Sequence, residues 1–390
     1  MTHTKGEVMK KEIQEEILEE EVDSTQKTAT EKRKRKFKIL LLVEVIAAVL
    51  ILAAGYLAIR YFKIKDTVSY EATGSISVNT DAELESHFQE ISEKYTLIML
   101  YGIDARSNSE SDLYVGGNAD TEIICCINNE TGDVKLVSVH RDTFTKTTQD
   151  KKGKLTDFYA AYGVEESLST INMNFDLNIT KFVSVNWKAL VRAIDILGGI
   201  DVELTSGEIK SINKYSKETA KITGETRYVL EAEPGLVHLD GVQAVAYART
   251  RNVAKTNDEG VTEHDDIARA SRQRIVLEKM LELVKEQVSL SLLDEFEEKV
   301  LPYVGTNCFD YLSSLFLDAG KYSIAEQTMM PFDGMYINQE KLSTAYIYCN
   351  TLEENVQELH SILFGDTSYT VSSKVQELSE YITEYRHEHP

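Results

Sequence analysis

The apolar positions of this chain fall into two regimes. Ile39 to Ile59 is apolar almost throughout, broken only by Glu44, Gly55 and Tyr56, and a helix of that length crosses the ~30 Å hydrocarbon core of a bilayer. Beyond it, apolar residues come in short runs bounded by turn residues. Tyr95 to Gly102, Thr121 to Ile127 and Val134 to Val139 read as strands, the last two joined through Asn128-Asn-Glu-Thr-Gly132 as a hairpin. Val164, Leu168 and Ile171 recur at helical spacing, so a helix is expected over 164–173. Lys181 to Val185 reads as a short strand, Trp187 to Leu197 as a helix stopped by Gly198-Gly199, and Ile200 to Leu204 as extended chain. Asp240 is expected to cap a helix to about Ala246, and Asp266 opens a long one to about Val288 with Ile275, Leu277, Met280, Leu283 and Val284 along it. Strands alternating with helices around a hairpin predict an α/β fold, a three-layer α-β-α domain with a mixed central sheet, preceded by one transmembrane helix.

Charge then orients the chain. Lys32, Arg33, Lys34, Arg35, Lys36 and Lys38 precede the long apolar run, and Arg60, Lys63 and Lys65 follow it. The excess of Lys and Arg belongs on the cytoplasmic side, so the N-terminus is expected inside and the bulk of the chain outside the cell membrane, a single-pass topology. A cleaved signal peptide is the rival reading, but the run exceeds the usual h-region and Ala53-Ala-Gly55 lies within it. The expected organisation is a mostly disordered cytoplasmic tail (1–38), the membrane helix (39–59), an extracytoplasmic stalk (60–92), one catalytic domain (93–366) and a C-terminal tail (367–390). The formal net charge is −22, and the part beyond the membrane is more acidic still because the basic cluster lies before it. Such a surface repels nucleic acid, so no nucleic-acid partner is expected. Cys125 and Cys126 are adjacent in a strand and read as core thiols facing opposite ways; Cys308 and Cys349 are left as either a pair or free buried thiols.

Against this acidic background, five arginines gather between Arg249 and Arg274. Guanidinium forks suit phosphate and carboxylate and stay charged at physiological pH, so the cluster reads as an anion site. On a helix opened by Asp266, Arg269, Arg272 and Gln273 fall on one face and Arg274 off it; if Tyr247 to Arg251 is extended, Arg249 and Arg251 point the same way. The alternative is a solvated helix face, but the nearest acids do not interleave with these arginines at i+4 spacing. Asp104 and Arg106 directly follow the first strand, Asp120 opens the second, and Arg141 follows the third. An antiparallel arrangement would bring Asp104, Asp120 and Arg141 to one edge of the sheet. Two carboxylates beside phosphate-binding arginines are the parts of a magnesium-dependent phosphoryl-transfer site. Taken singly, each is as readily a turn residue or a local ion pair.

Eight motifs in order resemble the LytR–CpsA–Psr family: Gly102-Ile-Asp104-Ala-Arg106, Asn118-Ala-Asp120-Thr121, Ser138-Val-His-Arg141-Asp142-Thr143, Lys154 to Gly163, Leu197 to Val202, His238 to Ala244, Tyr247-Ala-Arg249-Thr-Arg251 and Arg269-Ala-Ser-Arg272-Gln273-Arg274. The resemblance covers roughly Leu97 to Val276 and the anchor before it. It implies a ligase that moves a glycan from a polyprenyl-pyrophosphate carrier onto a peptidoglycan hydroxyl, leaving a phosphodiester. Carried over by motif, Asp104, Asp120 and Arg141 would be catalytic, with Asp104 and Asp120 holding Mg²⁺. Arg249, Arg251, Arg269 and Gln273 would bind the pyrophosphate and head group, joined by Arg106, Lys154 and Arg272. Apolar residues between sheet and helices would sheath the lipid. Two departures stand out: Asn118 and Ala119 replace the family's common Arg-Ser before the acid, and His140 replaces a common Pro before Arg141. A polyprenyl-pyrophosphate phosphatase and a non-catalytic envelope or regulatory protein are the alternatives.

Overall fold

The computed structural model describes residues 75–78, 82–105, 117–256, 262–263, 265–339 and 346–389. The expected membrane helix and cytoplasmic tail, and Arg106, lie outside the described residues. In chain order the elements are α1 (Ala82–Lys94), β1 (Tyr95–Asp104), β2 (Asn118–Asn128), β3 (Asp133–Val139), β4 (Phe144–Lys146), β5 (Lys152–Lys154) and α2 (Leu155–Phe175). Then come β6 (Lys181–Asn186), α3 (Trp187–Ile196), β7 (Ile200–Leu204), α4 (Ser206–Thr223), β8 (Gly235–Leu239), α5 (Gly241–Ala248), the two-residue strands β9 (Lys255–Thr256) and β10 (Thr262–Glu263), and α6 (Asp265–Gln287). The last third adds α7 (Leu290–Lys299), β11 (Val304–Thr306), α8 (Phe309–Leu317), β12 (Ser323–Met330), β13 (Tyr336–Gln339), β14 (Tyr346–Cys349), α9 (Leu352–Phe364) and α10 (Ser373–Glu388).

A six-stranded sheet in the order β11-β6-β1-β2-β3-β12 forms the middle layer. It is mixed: β1 and β2, and β2 and β3, are antiparallel, whereas β1 pairs parallel with β6 and β3 parallel with β12. Both faces are covered, so the period-two alternation of β1 and β2 sorts apolar side chains rather than separating apolar from polar. Met99, Tyr101, Ile103, Ile124 and Cys126 join a core with α2, α9 and α10, while Ile98, Ile123, Cys125 and Ile127 pack on the opposite face. The two neighbouring cysteines thus face opposite ways as expected. All four cysteines, Cys308 and Cys349 included, are free and buried.

Several boundaries move. The helix expected over 164–173 runs from Leu155 to Phe175 with a break at Gly163, whose φ of 87° is open to glycine without strain. Residues 367–390 are not a tail: Tyr369, Val371, Val375, Leu378 and Ile382 are buried in the main core, because α10 covers apolar surface of α2 and β4. The expected stalk likewise ends in structure, with Leu84, Phe88 and Ile91 of α1 packed into the same core. Asp240 caps α5 through a capping box, accepting from Gln243 N at 2.8 Å while Asp240 N donates to Gln243 Oε1 at 3.1 Å. Gly241 is required there, since a Cβ would lie 2.1 Å from the carbonyl oxygen of Val191 on α3.

His360 lies within the core, stacked on Tyr369 at 3.7 Å with Nε2 3.2 Å from the Phe175 carbonyl. Burial pushes its pKa down to about 3. A histidine whose folded pKa is depressed contributes stability that is full above its unfolded pKa near 6.5 and is lost as pH falls toward the folded value. At pH 5 the loss at this site is roughly 2 kcal/mol. His360→Phe keeps the stack and removes the proton, so denaturant titrations should show a shallower stability loss between pH 7 and 5 than the unmodified protein. An unchanged slope would mean that His360 is protonated in the fold. His140, pushed to about 4 chiefly by burial, adds a slope of the same sign.

Candidate functional site

The antiparallel pairing of β1, β2 and β3 brings the end of the first strand, the start of the second and the residue after the third to one edge. Asp104 pairs in register with Asn118, two residues before Asp120, and Arg141 Nη1 donates to Asp120 Oδ1 at 2.6 Å. A register shift at Gly102 frees this edge, and a side chain at Gly102 would meet Thr121 Cβ at 2.8 Å, displacing a residue that lines the site.

Beside this edge a cavity of about 410 Å³ opens between the sheet and the helices α3 to α6. Its interior is apolar, lined by Leu100, Ile123, Val183, Val185, Leu190 and Leu277, and Asp104, Asp120, Arg249, Arg251, Arg269 and Gln273 also line it. The volume lies in the range of ligand pockets, and an apolar chamber with few convergent polar groups is their usual form.

Three guanidiniums share two carboxylates here. Arg141 Nε reaches Asp266 at 3.1 Å, Arg251 reaches Asp266 at 3.1 Å and Asp120 at 3.5 Å, and Arg269 reaches Asp266 at 3.5 Å and Asp120 at 3.6 Å. Burial alone would raise the Asp266 pKa, but Arg269, Arg141 and Arg251 together hold it below the usual carboxylate range. Burial, with Arg251 and Arg141 adding to it, brings Arg269 down to about 10, still protonated at neutral pH. The group carries one more positive than negative charge, so an entering anion meets a prepaid set of donors. Asp266 stands at the start of α6 as the sequence predicts, but its place among three guanidiniums is not legible there, since only Arg269, at i, i+3, is near it in the chain.

Arg249 lines the cavity by another route. The chain from Tyr247 to Arg251 is not extended, because α5 continues through Ala248 and Arg249 closes it at φ −90°, ψ −8°. Its guanidinium sits over Trp187 at 3.6 Å and donates to Glu218 at 2.6 Å and Thr219 at 2.8 Å. Trp187, Tyr215 and Glu218 therefore shape the wall, and nothing in their sequence spacing signalled it.

Arg272 does not belong to the site. It is fully buried on another side of α6, donating to Glu208 at 2.9 Å and to the carbonyls of Thr250 at 3.2 Å and Val253 at 2.7 Å. Helical geometry explains the correction: Gln273 lies about 40° from Arg269 around the axis and Arg272 about 60° the other way, from the 3.6-residue turn, and α4 stands there. Arg274 points elsewhere too, bonding Ser138 Oγ at 2.9 Å. Lys154 is one step removed, paired with Asp142 at 2.9 Å, and Asp142 stands 3.8 Å from Arg141. Buried His140 accepts from the amide of Asp142 at 3.2 Å, which fixes the turn that presents Arg141.

An apolar chamber with an arginine–carboxylate mouth at a sheet edge has the shape and charge to suit an anionic group carried on an apolar body. The sequence model of the LytR_cpsA_psr family matches residues 61–364, and the chain belongs to that family. It is 29% identical over 222 residues to biofilm regulatory protein A of Streptococcus mutans, spanning 55% of this chain but only 49% of that protein. It is 28% identical over 252 residues to the polyisoprenyl-teichoic acid–peptidoglycan teichoic acid transferase TagU of Bacillus licheniformis, covering 64% of this chain and 72% of that one. Among solved structures, TagT with a bound octaprenyl pyrophosphate lipid shares the fold at a TM-score of 0.52 and 20% identity, over 75% of this chain and 98% of that one.

Proposed function

We propose that this protein is a membrane-anchored extracytoplasmic phosphotransferase that attaches a polyprenyl-pyrophosphate-linked glycopolymer, of teichoic acid or capsule type, to peptidoglycan. The observation that carries this reading is the union of an apolar chamber with Arg251, Arg269, Asp104 and Asp120 on one cavity. A polyprenyl chain matches the chamber and a pyrophosphate matches the guanidiniums. The named activity of the TagU relative points the same way.

In the proposed reaction an acceptor hydroxyl attacks the phosphorus that carries the glycan. The new phosphodiester forms as the P–O–P bond breaks, polyprenyl phosphate leaves, and a carboxylate of the site takes the hydroxyl proton. Arg251 and Arg269 stabilise the charge that spreads over the phosphoryl oxygens. Asp104 and Asp120 form a donor set suited to Mg²⁺, which takes one or two carboxylates and fills the rest of its shell from phosphate and water. Bound there, Mg²⁺ would offset charge on the pyrophosphate.

The test is a transfer assay with a polyprenyl-pyrophosphate-linked saccharide and peptidoglycan fragments, with Mg²⁺ and with chelator. Saccharide joined to peptidoglycan through a phosphodiester supports the reading. Release of saccharide phosphate to water alone would make the protein a phosphatase. Topology is tested separately: protease added to intact cells should digest the region from residue 66 onward, and protection of it would overturn the extracytoplasmic placement.

A further inference from the structure

The site described so far accounts for a lipid-linked donor but leaves the acceptor unplaced. On the other face of the sheet from the cavity, the segment from Lys146 to Lys154 carries four lysines, Lys146, Lys151, Lys152 and Lys154, in a chain of net charge −22. Its hairpin register sets Lys146 opposite Lys152 and Phe144 opposite Lys154, so these side chains share one face. Helix α10 lies against that face. Tyr385 stacks on Phe144 at 4.7 Å, Lys152 Nζ stands 4.2 Å over the Tyr385 ring, and Lys146 Nζ stands 4.7 Å over Tyr381. The rings hold the ammonium groups in place and so reduce the entropy lost on binding. Lys146 also pairs with exposed Asp150 at 3.0 Å, whereas Lys151 and Lys152 are exposed and pair with no described carboxylate. On α10 Glu377, Glu380 and Glu384 are exposed, with Lys374 the exposed cation near its start, so most of the positive charge of this strip comes from the hairpin.

This strip is continuous with the reaction edge. β4 follows directly after Arg141, the amide of Thr156 donates to the Arg141 carbonyl at 3.0 Å, and Lys154 pairs with Asp142. From Lys154 to Lys151 the hairpin extends about 10 Å away from that edge, at about 3.4 Å per residue. The cavity and the strip thus lie on opposite faces of the sheet and meet at Asp120 and Arg141. Displacement at phosphorus brings the attacking and leaving groups roughly in line, from opposite sides.

We propose that the exposed strip formed by the β4–β5 hairpin and α10 is the acceptor surface, holding a carboxylate-bearing glycan strand by lysine–carboxylate pairs and contact with tyrosine rings. The proposal rests on the transferase reading above. The test uses the full chain in detergent, sedimented with peptidoglycan sacculi stripped of attached polymer, beside a separate measurement of polyprenyl pyrophosphate binding. Lys151→Glu/Lys152→Glu should lower the affinity for sacculi about tenfold at low salt, with two surface pairs lost and two repulsions gained. Lys151→Arg/Lys152→Arg should keep it, and polyprenyl pyrophosphate should bind all three proteins alike. Unchanged affinity for sacculi in the glutamate variant overturns the proposal. So does loss of lipid-linked saccharide binding with sacculus binding intact, which would make this the donor's surface. A protein that ignores polyprenyl pyrophosphate yet needs these lysines for sacculi overturns the transferase reading and leaves the strip supported as a glycan surface.

Discussion

Asp120→Ala is expected to remove transfer, by about 10²–10⁴-fold if Asp120 handles the proton or helps to position the phosphoryl group, while polyprenyl pyrophosphate binds more tightly without divalent metal. The asymmetry follows from the geometry. Asp120 sits within 3.6 Å of Arg141, Arg251 and Arg269, competing with an incoming anion for the same donors. Its removal leaves Arg251 and Arg269 paired with Asp266 alone and Arg141 with Asp266 and Asp142. The ligand-free variant should therefore be less stable than the parent, and inorganic pyrophosphate should raise its melting temperature by more. Arg269→Ala should do the reverse, weakening binding with or without metal by about 1.5–3 kcal/mol, the usual cost of a lost charge-assisted pair. Calorimetric titrations with and without chelator read both effects. Equal losses of binding in the two variants would make Asp120 a structural partner of the arginines and nothing more.

The second large effect concerns stability. Arg272 is fully buried against Glu208, whose other oxygen accepts from the Thr205 amide in the α4 capping box at 2.9 Å. Arg272→Ala strands a buried carboxylate and two carbonyls, and breaking one side of a buried pair costs about 3–5 kcal/mol. Arg272→Met combined with Glu208→Gln should recover much of that, since replacing both charges avoids the uncompensated one. The folded fraction of each variant should bind polyprenyl pyrophosphate like the parent. A variant of Arg272 that is stable but binds tenfold more weakly would return this arginine to the site.

Arg269 and Arg272 show how far sequence reading reaches. Both belong to one arginine-rich motif, and both fit a phosphate-binding residue by type and by spacing. One lies in the mouth of a cavity and the other in a buried pair, and α4 decides which. Glu208 is distant in sequence, and no local pattern announces that its carboxylate faces α6. Asp266 and Glu218 were illegible for the same reason: their importance lies in the guanidiniums they face, which other segments contribute. The C-terminal helix reads as a tail because its sequence is strongly polar, yet Val375, Leu378 and Ile382 form a narrow apolar stripe that the core covers.

Local order carried the rest. Alternating apolar residues in β1, β2 and β3, with a tight turn between the last two, are enough to bring Asp104, Asp120 and Arg141 to one edge, because antiparallel pairing follows from hairpin geometry. The long helix, its start near Asp266 and the cap at Asp240 are equally local, set by periodicity and by side chains that satisfy their own backbone. The sequence by itself therefore determined the α/β class, the gathering of Asp104, Asp120 and Arg141 at one sheet edge, and the density of arginine in the segments beside it. Only the tertiary structure decided which arginines converge, which carboxylates they pair with, and that the chamber behind them is apolar, since each depends on side chains brought together from segments far apart in the chain.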